Sequence, residues 1–465
     1  LKFYELYDVP PFSKPGAQEI MRVALGAWVA AGAAMSARDQ YFPGYCAEDT
    51  KWVGKPMDEY NLVQVQLIHR HGARTMASNT PCWTPEPYPT FNCSKVKTAS
   101  GPPGFGVEKS YAAPGGCGLG HLVSIAATQF ENNARSVNAT YGGIPWFKTL
   151  NPNDPDSVQL YSCDNDRNMD SVSLFAHALF PGAATRLRVR TRSEQFDPWE
   201  LEMSGCQEAI DAHEHPTESE AGRRVVKTAG YQRVAGQWRA VAHTEWTGQV
   251  DCMLTAMCSS AGIPERIMPV VNDALDWGYR ASTAWINTDL GGIAASVPLQ
   301  DVAATLQAAV SGASPRLALW STHDTTLMPI MQALGAWDNR WPRYAMVMGL
   351  ELYEKDGEHF VRITQDGAPI ASRLCNGALM CPLDTVMAII DSWVQKAKAC
   401  KDARPTISAL ETFETGLEIT SEGPGMAWFG GAAAVVIVLV MGAYLPRRKE
   451  IDDVELEECV LGSPE

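Results

Sequence analysis

The sequence predicts an α/β fold: a central mixed, mainly parallel sheet flanked by helices, a smaller and mainly helical cap, and a single C-terminal transmembrane helix. Three observations predict it. Three short apolar runs, residues 62–68, 158–162 and 316–321, each end in polar, chargeable residues. Helical patterns follow the second and third at 171–180 and 325–334, the strand–loop–helix rhythm of a parallel sheet. Helix-like stretches such as 220–240 and 300–310 fill much of 168–315, where the cap is expected. Residues 426–445 carry no charge, and about 20 apolar residues suffice to cross a bilayer as a helix.

Composition narrows the function classes. The 465-residue chain has a formal charge of −15, which leaves no broad basic surface for a nucleic-acid backbone. Arginines clustered in so acidic a chain point instead to a local anion site. Twelve cysteines form no paired CxxC pattern of a zinc site. With the sequons at Asn92 and Asn138, they favour an oxidising, lumenal or extracellular compartment and glycosylation at both asparagines. Eleven cysteines precede residue 426, so at least one there has no intrachain partner. Cys375 and Cys381 are close enough for a local loop.

In chain order, Met21-Arg22 opens a short apolar run and a small-residue cleavage pattern at Ala34-Met35-Ser36, the shape of a signal peptide over 21–36. Residues 1–20 are then expected to be untranslated or uncertain upstream sequence. The ectodomain is expected over 37–400, with its core at about 60–370. The first strand delivers Arg70-His71-Gly72-Ala73-Arg74. Two arginines offer planar donor forks to a phosphate dianion, His71 sits where a ring nitrogen could attack phosphorus, and Gly72 is expected to let the backbone approach a bound anion. His69 should point to the opposite face of the strand.

Residues 81–116, rich in Pro, Gly and Ser, are expected to form an irregular, disulfide-tied excursion over the crevice. The second strand leads to Arg167 and the third to His323-Asp324. Ligands of open α/β sheets bind beyond the carboxyl ends of the strands, so neighbouring strands would bring Arg70, His71, Arg74, Arg167, His323 and Asp324 together. Alone, Arg167 reads more often as a surface ion-pair partner and His323-Asp324 as a helix N-terminal pair. His213-x-His215 lacks further metal ligands in a recognisable pattern and reads as a solvated loop. Lys355-Asp356-Gly357 between β-rich runs signals a hairpin at the sheet edge.

Residues 401–425 read as a stalk. The span opening at Met426 and closing at Leu445 is followed by Arg447, Arg448 and Lys449, which places the acidic tail, 446–465, in the cytoplasm. The chain is thus expected to be a type I single-pass protein of the secretory or endolysosomal pathway or the cell surface.

Arg-His-Gly-Ala-Arg at 70–74, Ser162-x-Asp164-x-x-Arg167 and Ser321-Thr322-His323-Asp324 resemble branch 2 of the histidine phosphatase superfamily over about residues 60–370. Within it they are similar to the histidine acid phosphatases, including the lysosomal and prostatic ones. The resemblance implies His71 as nucleophile, Asp324 as proton donor, and Arg70, Arg74, Arg167 and His323 as phosphate ligands. It implies hydrolysis of small phosphate monoesters without metal or cofactor, at acidic pH; homodimerisation is left open. Met76 stands where the family commonly has Pro, and Asn168 where it commonly has Thr; both are taken to bear on substrate preference and site rigidity rather than on the chemistry. The alternatives are a phytase or other inositol-phosphate phosphatase of the same superfamily, disfavoured by the acidic charge, and a catalytically inactive receptor-like ectodomain, disfavoured by the intact six-residue set.

Overall fold

The computed structural model describes residues 40–48, 52, 54–77, 83–84, 90–93, 112–113, 117–181, 186–192, 197, 199–200, 206–244, 246, 250–259, 262–313, 315–400 and 415–420. The expected upstream segment, signal peptide, stalk, membrane span and tail lie outside these residues. Among the described residues, no helix is long and apolar enough to cross a membrane.

The elements run β1 (Asn61–Arg70), β2 (Ala112–Ala113), β3 (Cys117–Gly118), α1 (Ser124–Tyr141), β4 (Val158–Ser162), α2 (Asp166–Leu179) and β5 (Arg186–Thr191). The helical tract follows: α3 (Gln207–Glu214), α4 (Glu220–Val226), α5 (Ala229–Ala242), α6 (Asp251–Met257), α7 (Met268–Thr283), α8 (Asp289–Ala294) and α9 (Ser296–Val310). The chain then returns through β6 (Leu317–Thr322), α10 (Asp324–Ala333), β7 (Val347–Lys355), β8 (Glu358–Gln365), β9 (Ala368–Ile370), β10 (Met380–Pro382), α11 (Leu383–Lys398) and β11 (Thr415–Thr420).

The main sheet has the order β10-β8-β7-β1-β6-β4-β5-β11, with β9 beside β8. It is mixed, but it corrects the expectation of a mainly parallel sheet. Among the described residues, β1–β6, β6–β4 and β4–β5 pair in parallel, whereas β1–β7, β7–β8, β8–β9, β8–β10 and β5–β11 pair antiparallel. The parallel strands form the middle because each leads into a crossover. The Asp356-Gly357 turn, with φ of 54° and 84°, fits a type I′ hairpin and starts the antiparallel flank.

Alternation along β1 builds two cores. Val65 and Leu67 face Phe130 and Ala134 of α1 and Val172 and Phe175 of α2. Ile68 faces the other side, in the cluster that holds Leu299 and Val302 of α9 and Leu327 and Ile330 of α10. Each such aliphatic side chain contributes roughly 1.5–3 kcal/mol when fully buried. Two glutamines on that face, Gln64 and Gln66, are buried without cost in unmet bonds: their amides reach the carbonyls of Thr305, Pro315 and Val302 and bond each other, which ties α9 to the strand. The register pairs Arg70 with Thr322 and Ser162 with Ser321, so three strands end level on one edge.

Several local expectations change. The helix-like stretch 220–240 is two helices, because the Thr228 hydroxyl accepts the Tyr231 N–H and caps a new start. His213 lies in the last turn of α3 and His215 at its C-cap, so this pair belongs to a helix end rather than a loop. Cysteine pairing gives Cys46–Cys258, Cys93–Cys117, Cys206–Cys400 and the expected Cys375–Cys381. Cys252 is also disulfide-bonded, and Cys163 is a buried free thiol. The first of these closes a loop of 212 residues between the N-terminal segment and the helical tract. Within 81–116 the described parts include Cys93, tied to Cys117, and the short β2–β3 pair.

A buried ion pair joins β7 to β8. The Glu351 carboxylate accepts from Arg362 Nε at 2.5 Å and from the hydroxyls of Tyr353 at 2.8 Å and Tyr141. Glu351→Ala would leave Arg362 charged, buried and uncompensated, so it should destabilise the protein by about 3–5 kcal/mol in urea unfolding. A loss below about 1 kcal/mol would show that the pair behaves like an exposed one.

Candidate active site

The carboxyl edge of β1 and β6 assembles the site. Arg70 is the last residue of β1, and its side chain points toward α10. Its Nη2 lies 2.7 Å from Asp324 Oδ2 and its Nη1 donates to the Pro342 carbonyl at 2.7 Å. The guanidinium stacks 4.2 Å from the Tyr344 ring and 5.1 Å from the Tyr45 ring. Asp324 is the first residue of α10, where a carboxylate is favoured by the helix dipole. It also accepts the Trp341 indole N–H. His69 does point the other way: its ring lies between Phe130 and Phe175, and burial lowers its pKa to about 4.

His71 is almost wholly buried. Its Nδ1 lies 2.9 Å from the Gly72 carbonyl. A carbonyl only accepts, so Nδ1 carries the proton and the Nε2 lone pair is left for other chemistry. Burial and then the guanidiniums of Arg70, Arg167 and Arg74 hold the His71 pKa well below the usual histidine range. The imidazole therefore stays neutral in acid.

The loop after β1 is pinned by the two helices beneath it. Gly72 N–H donates to Ser171 Oγ and Ala73 N–H to Gln129 Oε1. A Cβ at Gly72 would lie 2.5 Å from Ala126 Cβ and 3.0 Å from Phe130. The expected role of Gly72 is thus corrected: its missing side chain admits α1, and its N–H is spent on α2 rather than on an anion.

Arg74 is set by an ion pair with Asp251 at the start of α6, Nη2 to Oδ1 2.8 Å, and by the Thr75 carbonyl at 2.8 Å. Arg167, in the first turn of α2, places Nη2 3.5 Å from His323 Nδ1. The His71 and His323 rings are 5.5 Å apart between centroids. All six residues expected at the site are therefore brought together, although they come from three strand ends as much as 254 positions apart in sequence. Both sequon asparagines, Asn92 and Asn138, are exposed.

Asp251 and Glu200 were not legible in the sequence. Glu200 Oε1 lies 2.9 Å from His323 Nε2. Burial opposes its charge, but His323 and Arg167 override this and lower its pKa to about 2. Asn168 Nδ2 lies 3.1 Å from His323 Nε2. The Thr-to-Asn departure therefore touches the site directly, at a position expected to bear on site rigidity. Only the spacing of Asn168 from Arg167 hinted at this; Glu200 and Asp251 have no local signal, because their partners are distant in sequence.

Ligand atoms of Cys163, Glu200 and His323 lie within 4.8 Å of one another, the geometry a metal would need. Arg167 beside the same imidazole places positive charge there, and burial pushes the Cys163 thiol up, away from the thiolate a metal binds. The set reads as a hydrogen-bonded chain. Asp324 repeats the competition seen at Glu200, with the same outcome. Burial would raise its pKa; Arg70, then Arg74, lowers it below the usual carboxylate range.

The description of the histidine phosphatase superfamily (branch 2) matches residues 61–253, the span that holds Arg70, His71, Arg74 and Arg167. Over these residues the chain is similar to branch 2 of the histidine phosphatase superfamily. Among its relatives, counting factor 60 of Dictyostelium discoideum is 23% identical over 378 residues, 74% of this chain and 88% of that one. Lysophosphatidic acid phosphatase type 6 of Mus musculus is 39% identical over 71 residues, 15% of this chain and only 17% of that one. Of solved structures, the phytase from D. castellii superposes with a TM-score of 0.51 at 14% identity, covering 77% of this chain and 86% of that one, a likeness of fold.

The packing at Gly72 is directly testable. Gly72→Ala should cost about 1–3 kcal/mol through overpacking, and Ala126→Gly in the same chain should recover part of it in thermal melts. A fully stable Gly72→Ala protein with weakened phosphate binding would restore the anion-approach role instead.

Proposed function

We propose that the protein is an acid phosphatase that hydrolyses small phosphate monoesters through a phosphohistidine intermediate. The observation that carries this is the neutral His71 ring, its Nε2 left free by the Nδ1–Gly72 bond, set among the guanidiniums of Arg70, Arg74 and Arg167 with Asp324 across from it. Phosphoryl transfer needs positioning and charge stabilisation above all. Three arginines and His323 supply both without a metal.

In the first step His71 Nε2 attacks phosphorus, the ester P–O bond breaks, and the leaving oxygen takes the Asp324 proton. In the second, water attacks phosphorus, its proton passes to the Asp324 carboxylate, and the P–N bond breaks to release inorganic phosphate. Asp324 is ionised in the empty site, since Arg70 holds it so. A bound phosphate takes a share of Arg70 and adds negative charge beside the carboxyl, and both effects favour its protonated form. The acid is thus armed by the substrate, and a phosphate monoanion can bring the proton.

Secretory features extend the reading. The signal-like segment 21–36, the disulfides and the uncharged span 426–445 support a membrane-anchored enzyme whose catalytic part faces the lumen or exterior, with sugars at Asn92 and Asn138.

His71→Ala should lower p-nitrophenyl phosphate turnover by at least about 10⁴-fold; retention of a tenth of the rate would remove the nucleophile. Asp324→Ala should cost about 10²–10⁴-fold on alkyl phosphates and much less on aryl phosphates, whose leaving groups need no proton. Equal losses on both would take Asp324 out of the acid role. The sign of the His71 shift also fixes a pH dependence. Its pKa is lowered, so the free nucleophile survives below pH 6.5, the unperturbed value. The acidic limb of kcat/KM should fall well below that pH, and a limb centred there would contradict the assignment.

A further inference from the structure

Asp324, the acid of the proposed reaction, has two unequal oxygens. Oδ2 accepts from Arg70 Nη2 at 2.7 Å and from the indole N–H of Trp341. Among the described residues, Oδ1 meets only the Thr325 backbone N–H, at 3.0 Å. Two N–H donors fill both lone pairs of Oδ2, whereas a single donor leaves Oδ1 with one lone pair for a proton. Proton exchange with a leaving oxygen or a water therefore belongs to Oδ1, as long as Oδ2 is held.

The two donors on Oδ2 differ in their other commitments. Arg70 also donates to the Pro342 carbonyl and lies against Tyr344, and the proposed reaction gives the phosphate a share of its guanidinium. The indole has one N–H and nothing else to bond. It is a donor only, so it serves an ionised carboxylate and a carboxyl protonated on Oδ1 alike. Trp341 is half-buried in the connection between α10 and β7. Its backbone N–H donates to the Tyr41 carbonyl at 2.8 Å. Its ring lies 6.0 Å from Phe42 and 6.5 Å from Tyr279 of α7, between centroids. Tyr41 stacks on Tyr279 at 4.1 Å, and the Tyr279 hydroxyl donates to the Asn339 carbonyl. The indole thus stands on a platform of the N-terminal segment and α7, neither of which carries any of the six site residues.

We propose that Trp341 is a positioning residue for Asp324: its N–H fixes Oδ2 while the phosphate draws on Arg70, so that Oδ1 is the oxygen that gives a proton to the leaving group and takes one back from water. The inference rests on the phosphatase reading and on the acid role of Asp324 within it. Trp341 touches no reacting atom; it acts through the carboxyl, as a third group orients the base of a nucleophile–base pair.

The test compares the full chain with Trp341→Phe, which keeps a ring and removes the donor, and with Trp341→benzothienylalanine, which keeps the shape of the indole with sulfur in place of N–H. kcat/KM is measured for an alkyl phosphate and for p-nitrophenyl phosphate, because it reports the step in which the leaving group departs. Inhibition by inorganic phosphate is measured on the same proteins. Both variants should lose about 10-fold on the alkyl phosphate, the scale of one hydrogen bond to a charged group, and less than about 3-fold on p-nitrophenyl phosphate, whose leaving group needs no proton. Inhibition by inorganic phosphate should be unchanged, since the indole holds the carboxyl and not the phosphate. A tryptophan with only a packing role would lower both esters alike in Trp341→Phe and neither in the variant that keeps the indole shape. Equal losses on the two esters, or an undiminished alkyl rate in the shape-keeping variant, would overturn the inference; if Trp341→Phe fails to fold, the shape-keeping variant decides. An unaltered protein that turns over neither ester would instead overturn the phosphatase reading, and equal losses on both esters in Asp324→Ala would remove the acid role on which the inference stands.

Discussion

Crowding positive charge around a neutral imidazole is the constraint from which the rest of this structure follows. The guanidiniums of Arg70, Arg74 and Arg167 all act on His71, and Arg70 and Arg74 are buried. Such a cluster cannot stay folded unless its charge is compensated, because a buried cation without a partner costs several kcal/mol. The chain answers with a carboxylate for each of two cations, Asp324 for Arg70 and Asp251 for Arg74, and a third carboxylate, Glu200, lies against His323. Arg167 shares the field of Glu200 and Asp324. The carboxylates come from α10, α6 and the segment before the helical tract, so the site recruits the whole architecture rather than one loop.

Compensation is also what gives the site its chemistry. In the proposed mechanism an entering phosphate would replace carboxylate contacts with its own oxygens, so the cradle would be assembled before the substrate arrives and need little reorganisation. The same guanidiniums proposed to bind phosphate also hold the His71 pKa below the usual histidine range. Tyr344 and Tyr45 cover the face of Arg70, leaving its fork directed at Asp324 and the cradle.

Much of this was legible in the sequence, and the boundary of legibility has a physical cause. The strand ends could be read because apolar runs broken by Arg70, Asp164 and His323 mark where buried strands meet the open edge of a sheet. Level register then does the rest. The hairpin at Asp356-Gly357 was legible because its turn demands positive φ at both residues. What could not be read was pairing across distance. Asp251 and Glu200 carry no local signature, since their partners lie 177 and 123 residues away. Gly72 was misread because a close helix and a close anion leave the same mark in sequence. The antiparallel flanks were underestimated because β9 and β10 are three residues each, too short to show alternation.

The central claim is that His71 Nε2 takes the phosphoryl group while Nδ1 stays bonded to the Gly72 carbonyl. Rapid mixing with ³²P-labelled monoester, an alkaline quench and mapping of the labelled peptide measures it directly. The account predicts phosphohistidine at position 71, substituted on Nε2 and absent from the Nδ1 isomer. Label on Nδ1, label on another residue, or full turnover with no labelled enzyme at any time point would contradict it.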